Sequence, residues 1–377
     1  MQDEKMDGRW ILCLSTYPPR ECGIATFTRD LTHAIDRAGS GFATRIAALN
    51  NGLSYIYDKK VKYQLEAEEA GDYLELSKRI NRSGRIRAVS VQHEYGIFGG
   101  EYGSHLIPFL KNLQKPVVTT MHTVLPGPNP DLKRVTQEIV GNSDLVVVMA
   151  EIARSMLKDD YDVDSEKIRL IPHGVPDFRL KPRVIEKDRK LLLTFGLLDS
   201  RKGIEYVIDA MPKIVERHPD ALYCIIGETH PSVLKREGEN YRNMLMAKVK
   251  DMGLKKHVKF YNEYLAQKKL IEWLLATDVY IAPSLDPNQV TSGTIAYAVG
   301  CGKAVVSTPC LYAKEMLSDD RGLLVQFGDP DSIANAVNRI LSDKDLKQRF
   351  EENAREFGRN MTWPSVAAEY LTLFSSL

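Results

Sequence analysis

Apolar residues fall in short runs along this chain, and between the runs they return every three or four positions. In the first half the runs occupy residues 10–14, 43–48, 88–91, 116–120, 145–149 and 168–171. Short continuous apolar runs predict strands buried on both faces. Helical spacing predicts helices over 24–38, 73–81, 103–112, 135–140 and 150–161. The second half repeats the alternation. Strands are predicted at 191–195, 222–226, 258–261, 279–282, 304–307 and 323–325, and helices at 204–217, 241–252, 266–276, 294–299, 333–341 and 346–357. Such alternation implies an α/β protein with parallel sheets covered on both faces. Two series in 377 residues imply two doubly wound domains facing each other across a cleft. Residues 175–190, rich in Pro, Arg, Lys and Asp and without a period, are the expected hinge.

Composition narrows the class. Lys and Arg total 51 against 50 Asp and Glu, so the net charge is +1. That balance argues against a general binder of nucleic acid or anionic membranes and leaves room for a local basic site. No apolar stretch approaches the roughly 18 residues of a membrane-spanning helix. The charged residues 1–9 precede too short an apolar run for a secretory signal. Cys13, Cys22, Cys224, Cys301 and Cys310 show no paired spacing. Neither a metal site nor a disulfide framework is therefore expected, and the cytoplasm is the expected compartment.

Candidate chemistry gathers at the predicted strand ends, where doubly wound sheets bind ligands. Residues 195–203 write a strand end, a tight loop bearing Gly196 and a helix start in sequence order. Arg201 and Lys202 bring two cations to that helix start, whose free N–H groups and dipole attract anions. The combination suits a phosphate or diphosphate. Thr229 and His230 follow another second-half strand, where a nucleotide base or phosphate can be approached. Gln289, Thr291, Ser292, Gly293 and Thr294 precede a helix, and Ser292 or Thr291 can cap it while leaving N–H groups for an anion. A plain helix cap is the alternative there. In the first half, Glu21 and Gly23 follow the first strand and His122 follows the fourth. Residues 92–103 hold His93, Glu94, Tyr95, Glu101 and four glycines, a set that suits a sugar, with Glu94 and Glu101 the acidic candidates for an acceptor contact or general base. Arg236, Glu237 and Arg242 are partly explained by ordinary pairing on a helix surface.

Five segments, in order, resemble the GT-B glycosyltransferases of the family-4, or group 1, type. Ile171-Pro172-His173-Gly174-Val175 is similar to that family's Ile-Pro-Asn-Gly-Val junction, and residues 195–203 to its donor-phosphate loop. Pro219-Asp220-Ala221-Leu222 with Gly227 resembles the next strand and its glycine. Cys301-Gly302-Lys303-Ala304-Val305-Val306-Ser307 resembles a Cys-Gly-x-Pro-Val-Val segment, and Met361-Thr362-Trp363-Pro364-Ser365 the start of a helix that crosses back to the first domain. Residues 227–231 with 236–242, and residues 289–298 continuing to Thr308-Pro309, further resemble a bacterial subgroup.

The resemblance implies two Rossmann-like domains. Residues 1–178 with 364–377 would bind the acceptor, and 179–363 the donor. It implies an enzyme that moves a hexose from a nucleotide sugar to a sugar or glycoconjugate acceptor, with retention and without a metal or other cofactor. By matching position, Arg201 and Lys202 stabilise the leaving diphosphate and His122 lies near the donor sugar. The donor side would comprise Gly196, Thr229, His230, Gln289, Thr291, Ser292, Gly293, Thr294 and Tyr297. The acceptor side would comprise Gly23, Glu21, His93, Glu94 and Tyr95.

The chain departs from the family pattern in three places. The arginine usual after the loop glycine is Leu197, and the family's two donor-binding glutamates, with seven residues between them, fall on Gln289 and Tyr297. Asp286 is acidic but at the wrong spacing. A retaining oligosaccharide phosphorylase using phosphate or a sugar 1-phosphate is therefore the second reading, and a non-catalytic sugar-binding protein the third. Expected partners are a nucleotide sugar or sugar phosphate and a carbohydrate acceptor, with no nucleic acid. Peripheral membrane contact is common in the family, but Lys111, Lys115, Lys133 and Arg134 form no dense run and read as a solvated surface.

Overall fold

A computed structural model describes residues 9–176, 185 and 188–377. The chain divides into two compact units, one ending at Gly174 and completed by Trp363–Leu377, the other Val175–Thr362. Most of the expected hinge, residues 177–184 and 186–187, lies outside the described residues.

The first unit holds seven strands: β1 (Arg9–Ser15), β2 (Phe42–Asn50), β3 (Val61–Glu66), β4 (Ile86–His93), β5 (Val117–Met121), β6 (Leu145–Val148) and β7 (Ile168–Leu170). They form one sheet in the order β3-β2-β1-β4-β5-β6-β7, every pair parallel. Its helices are α1 (Gly23–Arg37), α2 (Ala70–Arg82), α3 (Leu106–Asn112), α4 (Pro130–Gly141) and α5 (Glu151–Asp159). Strand β3 was not expected. It is an edge strand, and its Val-Lys-Tyr-Gln-Leu-Glu sequence buries only Leu65 fully, so no apolar run marks it. α4 begins well before residue 135, because Asn129 caps it by accepting from the Leu132 N–H, and Pro130 fits a first turn that needs no donor.

The second unit holds β8 (Lys190–Phe195), β9 (Ala221–Ile226), β10 (Val258–Tyr261), β11 (Val279–Ala282), β12 (Ala304–Ser307) and β13 (Gly322–Leu324). Their order, β10-β9-β8-β11-β12-β13, all parallel, is that of a dinucleotide-binding Rossmann sheet. Its helices are α6 (Ile204–Arg217), α7 (Pro231–Glu237), α8 (Asn240–Asp251), α9 (Gln267–Ala276), α10 (Gly293–Gly300), α11 (Leu311–Met316), α12 (Pro330–Ser342) and α13 (Lys344–Gly358). Helices α6, α8 and α12 bury Val207, Met211, Leu245 and Val337 against Leu192, Tyr223 and Ile281 of the sheet. The last helix, α14 (Trp363–Ser376), belongs to the first unit. It packs Trp363, Val366 and Tyr370 beside Phe27 and Leu31 of α1, and the Tyr370 hydroxyl lies 2.8 Å from Oγ1 of Thr120 on β5.

Strand order reverses between β1 and β4 in one sheet and between β8 and β11 in the other. The loops leaving the carboxyl ends of these strands must diverge, and they leave a crevice there. Both sets of candidate residues stand on these loops or on the loops beside them.

Candidate functional site

In the second unit, Gly196 ends β8 with φ +125°, and Gly227 ends β9 with φ +147°. A β-carbon on Gly227 would stand 2.0 Å from the Gly196 carbonyl, so the two loops touch backbone to backbone. The Leu198 N–H donates to the Glu228 carbonyl at 2.8 Å, and the His230 N–H donates to the Leu198 carbonyl at 2.9 Å. Residues 196–203 then turn through one 3-10 segment, Ser200–Lys202, into α6. Gly203 sits at φ +63° with Pro283 O 2.3 Å from where a β-carbon would be. The Leu285 N–H donates to the Arg201 carbonyl at 2.7 Å, and a β-carbon on Gly196 would lie 3.3 Å from Thr294. The loop after β8 is thus pinned against both the loop after β11 and the start of α10.

The two cations are placed differently. Arg201 is 75% exposed, and its guanidinium reaches both oxygens of Asp199, at 3.2 and 3.1 Å. Burial pushes the Asp199 carboxyl up, but Arg201, Lys202 and the Arg201 N–H outweigh it and hold the carboxyl below its usual range. Lys202 is half-buried. Its pKa is lowered, first by burial and then by Arg201, with Asp199 opposing. No hydrogen bond or ion pair reaches its ammonium from the described residues.

Ser292, not Thr291, caps α10, its hydroxyl accepting from the Ile295 N–H at 3.4 Å. The Thr291 hydroxyl is buried without a hydrogen-bond partner among the described residues. The Gly293 and Thr294 N–H groups are likewise unbonded among them. Thr291, the open helix start and Lys202 each lack a counterpart among the described residues, and an anion would supply one.

Arg242 corrects its expected role. It is not on the helix surface: its side chain is 6% exposed and lies behind the Gly227 loop. Its guanidinium donates to the Gly227 carbonyl at 2.8 Å and to Glu239 at 3.0 Å, while the Thr229 hydroxyl donates to the same Glu239 oxygen at 2.5 Å. Arg236 does pair on the surface, with Glu237. Asp286 is exposed and accepts the Asn288 N–H within its own turn.

In the first unit, His122 ends β5 and is 8% exposed. Its Nε2 lies 3.0 Å from the Gln92 Oε1, and its ring stands edge-on to Phe27 at 4.7 Å. Burial, then the neighbouring His173 and His93, bring its pKa down to about 3. His173 meets the same Phe27 ring at 5.1 Å, and burial takes its pKa to about 4. His93 needs correction as an acceptor contact. It is completely buried, stacked on Phe98 at 5.6 Å and edge-on to Tyr95 at 5.0 Å, with no surface to offer a ligand. Neither ring nitrogen has a hydrogen-bond partner among the described residues, and burial lowers its pKa to about 3.

Glu94, the next residue, does reach partial exposure. Its carboxylate accepts from the Thr123 hydroxyl at 2.5 Å and the Tyr95 N–H at 3.0 Å. Burial raises its pKa against these bonds. The Tyr95 hydroxyl is engaged with Thr136 at 2.9 Å. Glu21 and Gly23 are exposed on the loop entering α1, and a β-carbon on Gly23 would meet nothing within 4 Å. Glu101 is exposed at the head of a short 3-10 turn. Lys111, Lys133 and Arg134 each pair with a surface carboxylate.

Residues 177–357 match the family described as "Glycosyl transferases group 1", and residues 22–178 match "Glycosyltransferase Family 4". The chain belongs to the GT-B group 1 glycosyltransferases. Among curated relatives of this glycosyltransferase is the D-inositol 3-phosphate glycosyltransferase of Corynebacterium efficiens, 24% identical over 289 residues. That match covers 69% of this chain and 65% of the relative's own length. The fold is shared with sucrose-phosphate synthase from Thermosynechococcus elongatus, with TM-score 0.76, 19% identity, and 98% and 100% of the two chains covered. It is shared too with Anabaena HepE, solved in complex with UDP-glucose, at TM-score 0.72 and 15% identity over 97% and 99%.

In this group 1 glycosyltransferase the positions of the two expected glutamates are structurally distinct. Gln289 lies partly exposed in the loop after β11, its carbonyl accepting the Tyr312 N–H at 2.9 Å. Tyr297 is inside α10, 7% exposed, with its ring 6.5 Å from that of Phe195. Among the described residues no group of three or more His, Cys, Asp and Glu is arranged to hold a metal, and no helix is long and apolar enough to cross a membrane.

Proposed function

We propose that this glycosyltransferase moves a hexose from a nucleotide sugar to a sugar or glycoconjugate acceptor, with retention and without a metal ion. The observation that carries the reading is the set of groups around the switch point of the second sheet that have no partner among the described residues: the Lys202 ammonium, the Thr291 hydroxyl and the open start of α10. Together with Arg201 they supply positive potential and donors where a diphosphate would accumulate charge as it leaves. The bond from the anomeric carbon to the diphosphate breaks, and the acceptor oxygen bonds to the same face of that carbon. The acceptor's proton passes to the departing phosphate oxygen, so no protein nucleophile is required.

The second unit is the proposed donor domain and the first the acceptor domain. With a pKa near 3, His122 is neutral in any ordinary buffer and would serve the transferred sugar as a hydrogen-bonding group rather than as an acid. Glu94, Tyr95, Glu21 and Gly23 would meet the acceptor. The Corynebacterium relative's name makes a cyclitol phosphate the first acceptor to assay. Five free cysteines favour a reducing cytoplasm as the place of action.

Thermal shift with UDP, GDP, ADP, TDP, inorganic phosphate and sugar 1-phosphates tests the reading, since a ligand of the native state raises Tm by mass action. A shift with one nucleoside diphosphate, lost in Arg201→Ala/Lys202→Ala, supports the transferase. The lack of a carboxylate at Gln289 and Tyr297 favours one competitor, a phosphorylase. A shift only with phosphate or a sugar 1-phosphate would replace the first reading with that one.

A further inference from the structure

His230 stands at the seam between the two glycine loops, and its ring is held in one tautomer. Its Nδ1 accepts the Ser232 backbone N–H at 3.2 Å and lies 2.7 Å from the Ser232 hydroxyl. A backbone N–H can only donate, so Nδ1 must carry the lone pair and Nε2 the proton. The hydroxyl then donates to Nδ1 as well. Protonating the ring would put hydrogen on Nδ1 against two donors that already point at it. The backbone fixes the ring's place, because the His230 N–H donates to the Leu198 carbonyl inside the cationic loop. The charged groups acting on the ring are Asp199, Arg201 and Lys202, all on that loop. Nε2 has no partner among the described residues.

We propose that His230 is a ligand of the donor's diphosphate, locked as the neutral Nε2–H tautomer so that it donates to a phosphate oxygen alongside Arg201 and Lys202. The proposal rests on reading this loop as a diphosphate site and adds a third donor to it. Burial, with Arg201 and Lys202, lowers the ring's pKa against the pull of Asp199, in keeping with a donor that stays neutral. Such a donor does not compete with the two cations for space or charge. Its contribution also does not vanish as pH rises through the ordinary histidine range, as that of an imidazolium would.

The test uses the full chain with ¹⁵N-labelled histidine and inorganic pyrophosphate as the probe. Two-bond ¹H–¹⁵N spectra should show His230 as the Nε2–H tautomer, and pyrophosphate should shift Nε2. Two variants separate binding from capping, because His230 also caps α7. His230→Asn keeps a good cap residue but withdraws the donor, and pyrophosphate affinity should fall about tenfold. His230→Gln loses the cap but carries an amide N–H at the reach of Nε2, and it should recover much of the affinity. Unchanged affinity in His230→Asn, or an Nδ1–H ring, would overturn the proposal. Pyrophosphate that fails to bind the wild-type chain would instead remove the anion-site reading beneath it, whatever the tautomer.

Discussion

Gly174 lies flat against the indole of Trp363: a β-carbon on the glycine would stand 2.2 Å from Cε3 and Cζ3 of that ring. The end of the first unit's main run and the first residue of its returning helix are thereby locked together. Gly174→Ala should cost about 1–3 kcal/mol, the usual range for overpacking. Trp363→Leu should cost stability alone but less in the Gly174→Ala background, because the smaller side chain frees the space. Urea melts of the two single variants and the double variant measure that coupling.

Lys202→Met should leave the fold as stable as wild type or more so, yet abolish the thermal shift given by a nucleoside diphosphate. The ammonium is desolvated without a partner among the described residues, so its removal relieves a cost, while the ligand loses one of the loop's two cations. The pH sign follows. The folded pKa lies below that of an unfolded lysine, so between the two values the unfolded chain binds more protons and stability rises with pH. That rise should be missing in Lys202→Met. Thr291→Val should behave alike, with unchanged or higher stability and weaker anion binding, since it removes a buried hydroxyl that has no partner among the described residues.

Glu94 has a raised pKa because burial outweighs the donors around it. Both states are protonated well below the ordinary glutamate value, where its contribution is fully present. As pH rises the unfolded chain ionises first, and stability is lost until the folded pKa is passed. Thr123→Val removes the hydroxyl that favours the carboxylate, so it should push that pKa higher and deepen the loss at neutral pH. Glu94→Gln should flatten the slope. Denaturant melts from about pH 4 to 8 read both effects.

Two glycines should respond oppositely to alanine. Gly203→Ala meets a left-handed φ and the Pro283 carbonyl at once, so it should lose about 2 kcal/mol or more and disorder the cationic loop. Gly23→Ala meets open space, so its melting temperature should match wild type. A fall in transfer rate in Gly23→Ala would then come from crowding a substrate. Wild-type kinetics in that variant would remove Gly23 from the site.

Central strands could be read from sequence because parallel strands covered on both faces must be apolar throughout, as Leu191–Leu193 of β8 are. The cationic loop was legible for a related reason. Gly196, Arg201, Lys202 and Gly203 are neighbours in the chain, and strand end, turn and helix start follow one another locally. The edge strand β3 lacked any such mark, since one of its faces is polar and only pairing with β2 makes it a strand.

Sequence by itself determined the alternation of elements, the two Rossmann-like sheets, the family, and which loops carry glycine and charge. Tertiary structure decided what each polar group on those loops is free to do. His93 and Glu94 are adjacent in sequence, yet packing against Phe98 seals one while the other reaches partial exposure. Arg242 looks like a surface cation until the Gly227 carbonyl and Glu239 claim it. Ser292 caps α10 and leaves the Thr291 hydroxyl without a partner among the described residues, a choice between two adjacent hydroxyls that composition does not make. Local chemistry sets what a residue can offer, whereas burial and partners, contributed by segments distant in the chain, set what it still has to offer once folded.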